Sequence, residues 1–197
     1  MRETMKIIDK ITGEDLFEVE LRGAIPIGYY DYFEIDNCKI ISCDFSKTNL
    51  QGVDISNTNI SFSNFSNVDL SEKSYRKVLF NDCNLIGTNF NSSFLEDVVF
   101  KNCNLNYSNF SGCRFRKVSF ENCKLDGASF NEMKWKDLQY IECSMKEVEF
   151  LHTKLKGLDL SSCDIKDLRV LIGELCGLIV NYEQALSLSL LLGIKIK

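Results

Sequence analysis

A strict period of five residues is the feature of this sequence that most limits its fold. From Ile35 to Ile165, every residue whose number is a multiple of five is apolar or aromatic, over 27 consecutive positions. Two residues before each of these centres lies a second class of residue, and 22 of those 27 are Cys, Val, Thr, Ser or Ala. A period of five fits neither the 3.6-residue period of a helix nor the two-residue period of a strand.

One large and one small inward residue in every five predict a solenoid with flat sides. Each side is about one pentapeptide long, so four sides make a coil of about 20 residues, stacked on the next at ~4.8 Å. Stretches such as Cys43-Asp44-Phe45-Ser46 and Thr88-Asn89-Phe90-Asn91 carry the pattern. These motifs resemble those of the pentapeptide-repeat family. The resemblance implies an all-β solenoid, a right-handed quadrilateral β-helix.

Residues whose numbers differ by 20 are expected to lie in one vertical column. Eight of the nine cysteines occupy small inward positions, and six of them share one column. The eight are Cys38, Cys43, Cys83, Cys103, Cys113, Cys123, Cys143 and Cys163. A metal or redox site would need a Cys-x-x-Cys pair or a nearby histidine, and neither is predicted. The simpler interpretation is that a small apolar thiol fills a narrow position, so we expect free, buried thiols and no metal or other cofactor.

The large inward positions form columns of aromatic residues. Phe80, Phe100, Phe120 and Tyr140 share one column, and Phe90, Phe110, Phe130 and Phe150 share the opposite one. Because they occupy the inward register, we expect these rings in the core rather than on a ligand-binding surface.

Composition narrows the function further. The chain has one histidine, a net charge of −5, no phosphate-binding glycine loop and no nucleophile elbow. We therefore expect no enzyme and no direct contact with nucleic acid. No apolar run is long enough to span a membrane, and the first residues do not read as a signal peptide, so a cytoplasmic location is expected.

The charge is unevenly distributed along the chain. Residues 1–36 carry nine acids and four bases, while the remaining residues sum to zero. One predicted face instead carries a basic stripe over three successive coils. Its seven cations are Arg114, Arg116, Lys117, Lys134, Lys136, Lys154 and Lys156. This stripe is either a solvated face or a contact for a polyanion.

One repeat is irregular. Lys73 falls at a small inward position, where an unpaired ammonium group is costly to bury. Either the coil bulges there or the lysine escapes to a corner, and the segment is either a structural irregularity or a contact loop. The candidate partner-contact residues are Lys73, Tyr75, Arg76, Arg114, Arg116, Lys117, Lys134 and Lys136.

The two ends of the chain are not repeats, which divides it into three parts. Residues 1–32 are predicted as an N-terminal cap, with a β-hairpin over residues 6–20 around a glycine turn. Residues 33–180 form the β-helix. Residues 181–197 form a C-terminal tail, in which Asn181 caps a helix that runs to Leu192 and stops at Gly193.

The predicted C-terminal helix is apolar nearly all round, so two of its sides must be covered. One side can close the solenoid and the other can meet a second copy, which predicts a homodimer. The predicted interface residues are Tyr182, Ala185, Leu186, Leu190, Leu191 and Ile194.

The C-terminal tail also carries a narrower resemblance. Val180-Asn181-Tyr182-Glu183-Gln184-Ala185, followed by Leu190-Leu191-Leu192-Gly193-Ile194, is similar to the dimerisation segment of Qnr-type quinolone-resistance proteins. That resemblance implies a dimeric DNA mimic, without enzymatic activity, that binds DNA gyrase or topoisomerase IV. The chain departs from the group in two ways, because it has no loop insertion and it carries the basic stripe. The alternatives are a binding module for another protein partner, or an immunity factor against a gyrase-targeting peptide toxin.

Overall fold

The computed structural model describes residues 5–30, 33–50 and 52–195. Within these ranges the chain folds into a parallel β-solenoid, in which successive coils pair strand on strand. The strands are β1 (Lys6–Ile8), β2 (Leu16–Phe17), β3 (Val19–Arg22), β4 (Gly28–Tyr29), β5 (Glu34–Asp36), β6 (Lys39–Ile41), β7 (Thr48–Asn49), β8 (Asp54–Ser56), β9 (Asn59–Ser61), β10 (Ser74–Arg76), β11 (Leu79–Asn81), β12 (Phe94–Lys101), β13 (Arg114–Glu121) and β14 (Lys134–Ile141).

Two adjacent faces of the solenoid carry most of the strands. The first face stacks β2, β5, β8 and β10 on the first halves of β12, β13 and β14. The second face stacks β1, β3, β6, β9 and β11 on their second halves. In the three long strands the chain therefore continues round the corner between the faces. The other two faces are joined mainly by isolated parallel bridges, such as Asp69 to Asn89 and Asn89 to Asn109.

The predicted register of 20 residues is confirmed. Tyr75 pairs with Ile55 on one side and with Leu95 on the other. Between coils, the N–H of Phe65 donates to the carbonyl of Asn84 at 2.7 Å. All 27 apolar centres face inward, and all except the half-buried Trp135 are buried.

The aromatic centres form stacked columns in the core, as the period predicts. Phe110 lies parallel to Phe90 and to Phe130, with ring centroids 4.8 and 5.0 Å apart. It also meets Phe100 and Phe120 of the opposite column edge-to-face, at 5.9 and 5.6 Å. Both arrangements are favourable for aromatic rings, so the two columns interlock along the solenoid axis.

Polar side chains before the centres join the coils from outside. Asn84 donates through Nδ2 to Oδ1 of Asn64 at 3.1 Å, and Asn64 donates in the same way to Asp44 at 3.0 Å. Asp44 also accepts from the N–H of Ser46, and these bonds lower the pKa of its carboxyl group. The preference for Asn and Asp at this position is thus explained by a column of hydrogen bonds.

The N-terminal hairpin expected over residues 6–20 is wrong. Strand β1 pairs with β3 in parallel, and β2 pairs in parallel with β5, whereas a hairpin would be antiparallel. This arrangement places Leu16 beside Ile35 and buries both, so the segment adds a further coil to the solenoid. Residues 1–4, 31 and 32 of the predicted cap lie outside the described residues.

The C-terminal end forms the predicted helix with a tighter last turn. A 3-10 turn at Ile172–Leu175 precedes helix α1 (Tyr182–Ser189), and a second one follows at Leu190–Leu192. Asn181 caps α1 by accepting from the N–H of Gln184 at 2.9 Å, and Gly193 ends the helical segment with a left-handed φ of 72°. Only residues 196 and 197 of the tail lie outside the described chain.

Eight thiols are buried at the small inward positions, as expected, and Cys176, which lies outside the register, is exposed. No helix in the described ranges is long and apolar enough to cross a membrane.

Candidate functional site

The basic stripe lies on the first face, where β13 and β14 run side by side. Arg114 pairs with Lys134 in the strand register, and Arg116 pairs with Lys136. These outward residues flank the inward Phe115 and Trp135, so cations of successive coils lie one strand spacing apart. All seven cations of the stripe are exposed.

Glu96 limits the stripe at its upper end, which the sequence analysis missed. Its carboxylate lies 3.0 Å from Nη1 of Arg116 and 3.9 Å from Nε of Arg76. The signal was available, because 96 and 116 differ by one coil. For the other six cations, no carboxylate of the described chain lies within 4.0 Å. Below Glu96 the stripe is therefore predominantly positive, with Asp137 as an exposed acidic residue within it.

The strand ladder of this face opens between β14 and the next coil. The register of 20 would join residues 134–137 to residues 154–156 by backbone hydrogen bonds, yet none forms there within the described chain. Instead, the indole Nε1 of Trp135 donates to the carbonyl of Lys154 at 2.8 Å. A groove of about 920 Å³ results, lined by Glu132, Met133, Lys134, Trp135, Lys136, Asp137, His152, Lys154 and Lys156.

The irregular repeat at Lys73 does not bulge. Tyr75, two residues later, keeps its register with both neighbouring coils, and the Lys73 carbonyl accepts from the N–H of Phe94 at 2.8 Å. Lys73 is half-buried, unlike all the other small inward residues, which are buried. The lysine is thus accommodated without an inserted residue or a broken ladder.

Tyr75 is not available as a contact residue. Its side chain is fully buried and its hydroxyl donates to the carbonyl of Leu70 at 2.8 Å. Inclusion of Tyr75 among the candidate contacts was wrong, because a multiple-of-five position is a core position. Arg76 beside it is exposed and lies over the ring of Phe94, with Cζ 5.9 Å from the centroid.

The C-terminal tail exposes a dense run of apolar side chains. The six residues predicted at the dimer interface are all exposed in the single chain, with Tyr182 at 77% and Leu190 at 66%. The opposite side of α1 closes the solenoid. There, Nε2 of the buried Gln184 donates to the carbonyls of Leu160 and Cys163, at 2.9 and 2.6 Å, and Leu188 packs against the core.

The buried thiols have the properties of core residues rather than of a reactive site. Cys103 and Cys123 direct Sγ at the carbonyls of Phe80 and Phe100, 3.4 and 3.3 Å away. Burial raises the pKa of the Cys113 thiol to about 12, so this group stays protonated at neutral pH. In the described part of the chain, no group of three or more metal-ligating residues comes together.

The repeat defines the class of this protein. The model of the pentapeptide repeat region matches residues 33–110, 73–150 and 113–175, which together span most of the chain. The chain therefore belongs to the pentapeptide-repeat family. Among curated proteins, no sequence similar to this chain was found.

Several solved structures are similar to this one. Full-length QnrB1, a plasmid-mediated fluoroquinolone resistance protein, is 17% identical, with 92% of this chain and 99% of that chain covered and a TM-score of 0.41. HetL from the cyanobacterium Nostoc sp. strain PCC 7120 is 14% identical, with coverage of 79% and 85% and a TM-score of 0.38. A pentapeptide repeat protein of the Arabidopsis thaliana thylakoid lumen is 20% identical, with coverage of 64% and 70% and a TM-score of 0.26. The family assignment rests on the repeat model alone.

Proposed function

We propose that this chain is a non-enzymatic binding protein that acts in the cytoplasm on a type II topoisomerase, DNA gyrase or topoisomerase IV. As a homodimer it would occupy the surface that otherwise holds duplex DNA and so protect the enzyme from quinolones. The observation that carries this proposal is the exposed apolar tail, whose sequence resembles the dimerisation segment of Qnr-type proteins.

The exposed tail supports the homodimer. Tyr182, Leu190 and Leu192 are each more than half exposed, although they lie in one short helical segment. A concentration of large apolar side chains on a surface marks an interaction site. A second copy provides the same surface, and a two-fold interface is the commonest way to cover it.

The shape of the chain supports a rod that could replace DNA. The column from Leu16 to Trp135 has six steps between coils, which is about 29 Å at ~4.8 Å per step. Two copies joined tail to tail would double this length and place their N-terminal ends far apart. Those ends are acidic, with Glu14, Asp15 and Glu18 exposed in the described part, and they would face cationic surfaces of the enzyme.

The first test examines dimer formation separately from binding to the topoisomerase. Leu190→Asp places a charge in the apolar interface and should convert the dimer to a monomer, as measured by light scattering. Leu190→Ala is the matched control and should leave most of the dimer intact. A dimer that persists in the Leu190→Asp variant would place the interface elsewhere.

The second test addresses the topoisomerase. Gyrase supercoiling is measured with a fluoroquinolone while this protein is titrated, beside the drug susceptibility of cells that express it. Protection by the wild type, lost in the Leu190→Asp monomer, is the expected result. If supercoiling, cleavage and susceptibility stay unchanged up to tens of micromolar, the topoisomerase assignment is wrong. A pull-down from bacterial lysate then identifies whether another protein or a peptide toxin is bound.

A charge variant tests which face makes the contact. Arg114→Glu with Lys117→Glu reverses two stripe cations that have no carboxylate partner in the described chain, while Arg116 keeps its pair with Glu96. If the stripe contacts the enzyme, the potency of protection changes. A solvated stripe predicts unchanged potency, equal to that of a Lys39→Glu control on the second face.

A further inference from the structure

The groove lies beside Trp135, which between Ile35 and Ile165 is the one apolar centre that is only half-buried. Phe115 and Leu155, in the same column one coil above and one below, are buried. The larger indole of Trp135 is only half-buried, and its N–H takes the Lys154 carbonyl that the backbone ladder would otherwise use. Within the described chain, no backbone hydrogen bond continues the ladder from β14 to the next coil on either strand-bearing face, and part of the indole faces the resulting groove.

Four lysines line the groove with this half-buried ring. Lys134 and Lys136 flank Trp135 on β14, and Lys154 and Lys156 occupy the corresponding positions of the next coil. Within the described chain none of the four has a carboxylate within 4.0 Å. The groove also contains Glu132 and Asp137, so its ionised Lys, Asp and Glu side chains sum to a charge of +2. An anion entering this groove meets a local excess of positive charge.

The opened strand edge adds donors of a second kind. The backbone N–H groups of Trp135 and Asp137 would donate to carbonyls of the next coil in a regular ladder, and they make no such bond in the described chain. Fixed N–H groups beside ammonium groups favour an oxyanion. The groove thus combines an aromatic surface with donors for negatively charged oxygen atoms.

We propose that this groove binds a nucleotide, either free or as part of a single strand, with the base against Trp135 and the phosphate among the four lysines. Aromatic side chains within a positively charged groove are the common way to hold single-stranded nucleic acid. An acidic peptide would use the lysines but would leave the indole without a matching planar group. The sequence analysis excluded nucleic acid on net charge, but binding depends on the local field. This inference does not depend on the proposed function.

The single tryptophan of the chain makes the proposal directly measurable. Full-length protein is titrated with thymidine triphosphate, with a twelve-residue oligothymidylate and with polyglutamate, while tryptophan emission is recorded. We expect both nucleotide probes to quench or shift the emission, with a Kd of about 10⁻⁴ to 10⁻⁶ M at low salt, and polyglutamate to have little effect. For the oligonucleotide, contacts to three or four phosphates predict a slope of log K against log salt of about −2 to −3.

Three variants locate the binding site by the anisotropy of a labelled oligothymidylate. Changing Lys134, Lys136, Lys154 and Lys156 to Gln together should weaken binding at least about ten-fold. Trp135→Phe should be buried like Phe115 of the same column, which withdraws the ring from the groove and weakens binding about ten-fold. The control, Lys39→Gln with Lys124→Gln, removes two exposed cations outside the stripe and should bind like the wild type. Circular dichroism and thermal unfolding check that each variant is folded.

Four results would overturn the proposal. The first is that emission and anisotropy stay unchanged up to millimolar probe. The second is that the quadruple Lys→Gln variant binds as tightly as the wild type, and the third is that Trp135→Phe does so. The fourth is that polyglutamate binds as tightly as the oligonucleotide. The third result would mean an ionic contact without base stacking. The fourth would assign the groove to acidic peptides instead.

Discussion

The middle of the solenoid and its C-terminal end follow the same repeat. They differ in the backbone hydrogen bonds that they leave unmade and in the apolar side chains that they leave exposed. From Phe94 to Ile141, three eight-residue strands pair over a stacked aromatic core at every position except the corner residues Asp97, Lys117 and Asp137. Between β14 and the next coil, the described chain makes no ladder of backbone hydrogen bonds on either strand-bearing face, and the tail exposes its apolar side chains. The regular region thus provides rigidity, while unpaired charge and uncovered apolar surface concentrate where the repeat weakens.

The largest expected difference between these regions is in the cost of removing a side chain. Phe110→Ala deletes a fully buried ring that stacks on two others, and should lower the free energy of unfolding by about 3–5 kcal/mol. Leu190→Ala removes a 66% exposed side chain and should cost well below 1 kcal/mol at concentrations where the chain is monomeric. Urea unfolding of the two variants measures both losses in the free energy of unfolding. Similar losses would contradict the expected difference between the core and the tail.

A second variant tests how the end of the solenoid is closed. Gln184→Ala leaves the Leu160 and Cys163 carbonyls without their side-chain donor and should cost about 1–3 kcal/mol. Gln139→Ala, at an exposed position of β14, is the control and should cost less than about 0.5 kcal/mol. If both variants unfold at the same urea concentration, α1 does not stabilise the solenoid through Gln184.

The buried thiols predict a loss of stability in alkali. Burial raises the pKa of Cys113 to about 12, above the value of ~8.5 for an unfolded thiol. The stabilisation is fully present below the unfolded pKa and is lost as the pH rises towards 12, because only the unfolded chain then ionises. A serine does not ionise in this pH range. Between pH 8 and pH 10, the free energy of unfolding of Cys113→Ser should therefore fall by about 1–2 kcal/mol less than that of the wild type.

Reduced protein, unfolded by urea at each pH, gives these free energies. Equal pH dependence in the wild type and in Cys113→Ser would show that this thiol does not contribute. Thiol labelling provides an independent check of burial, since the exposed Cys176 should react rapidly and the eight buried thiols only after unfolding.

The smallest expected effect is at Lys73. Val53 and Ser93, one coil above and below, are buried, so a valine at position 73 matches the inward register. Lys73→Val should raise the free energy of unfolding by about 0.5–1 kcal/mol, whereas Lys39→Val on an exposed strand position should change it little. A destabilised Lys73→Val variant would mean that the lysine is required where it stands, and its effect on topoisomerase protection should then be measured.

The sequence predicts the regular part of this fold well because one rule decides it. From Ile35 to Ile165, every residue at a multiple of five except the half-buried Trp135 is buried, and this holds even at Tyr75, two residues after Lys73. The N-terminal coil follows the same period with a shift of one residue, since Ile11, Leu16 and Leu21 are buried. The alternating pattern of residues 6–20 indicates strands but not the direction of their pairing, so the hairpin was wrong.

The candidate sites depend on effects that the period does not express. The half-buried position of Trp135 depends on the volume of its ring against the space between coils, and the indole N–H donates to the Lys154 carbonyl where the backbone ladder is absent. Neither can be read from residue classes. The pairing of Arg116 with Glu96 could be predicted, because their numbers differ by 20. The exposure of the tail agrees with the predicted interface, while the dimer itself stays a prediction.

The register of 20 residues has a consequence for how such a chain can change length. A tandem duplication of any 20-residue segment of the regular region would return each side chain to its own column, and would lengthen the molecule by one step of ~4.8 Å. Insertion of a single residue would instead shift all the following side chains by one position, out of their columns. The distance between the acidic and the apolar end of the protein can therefore change only in steps of one whole coil.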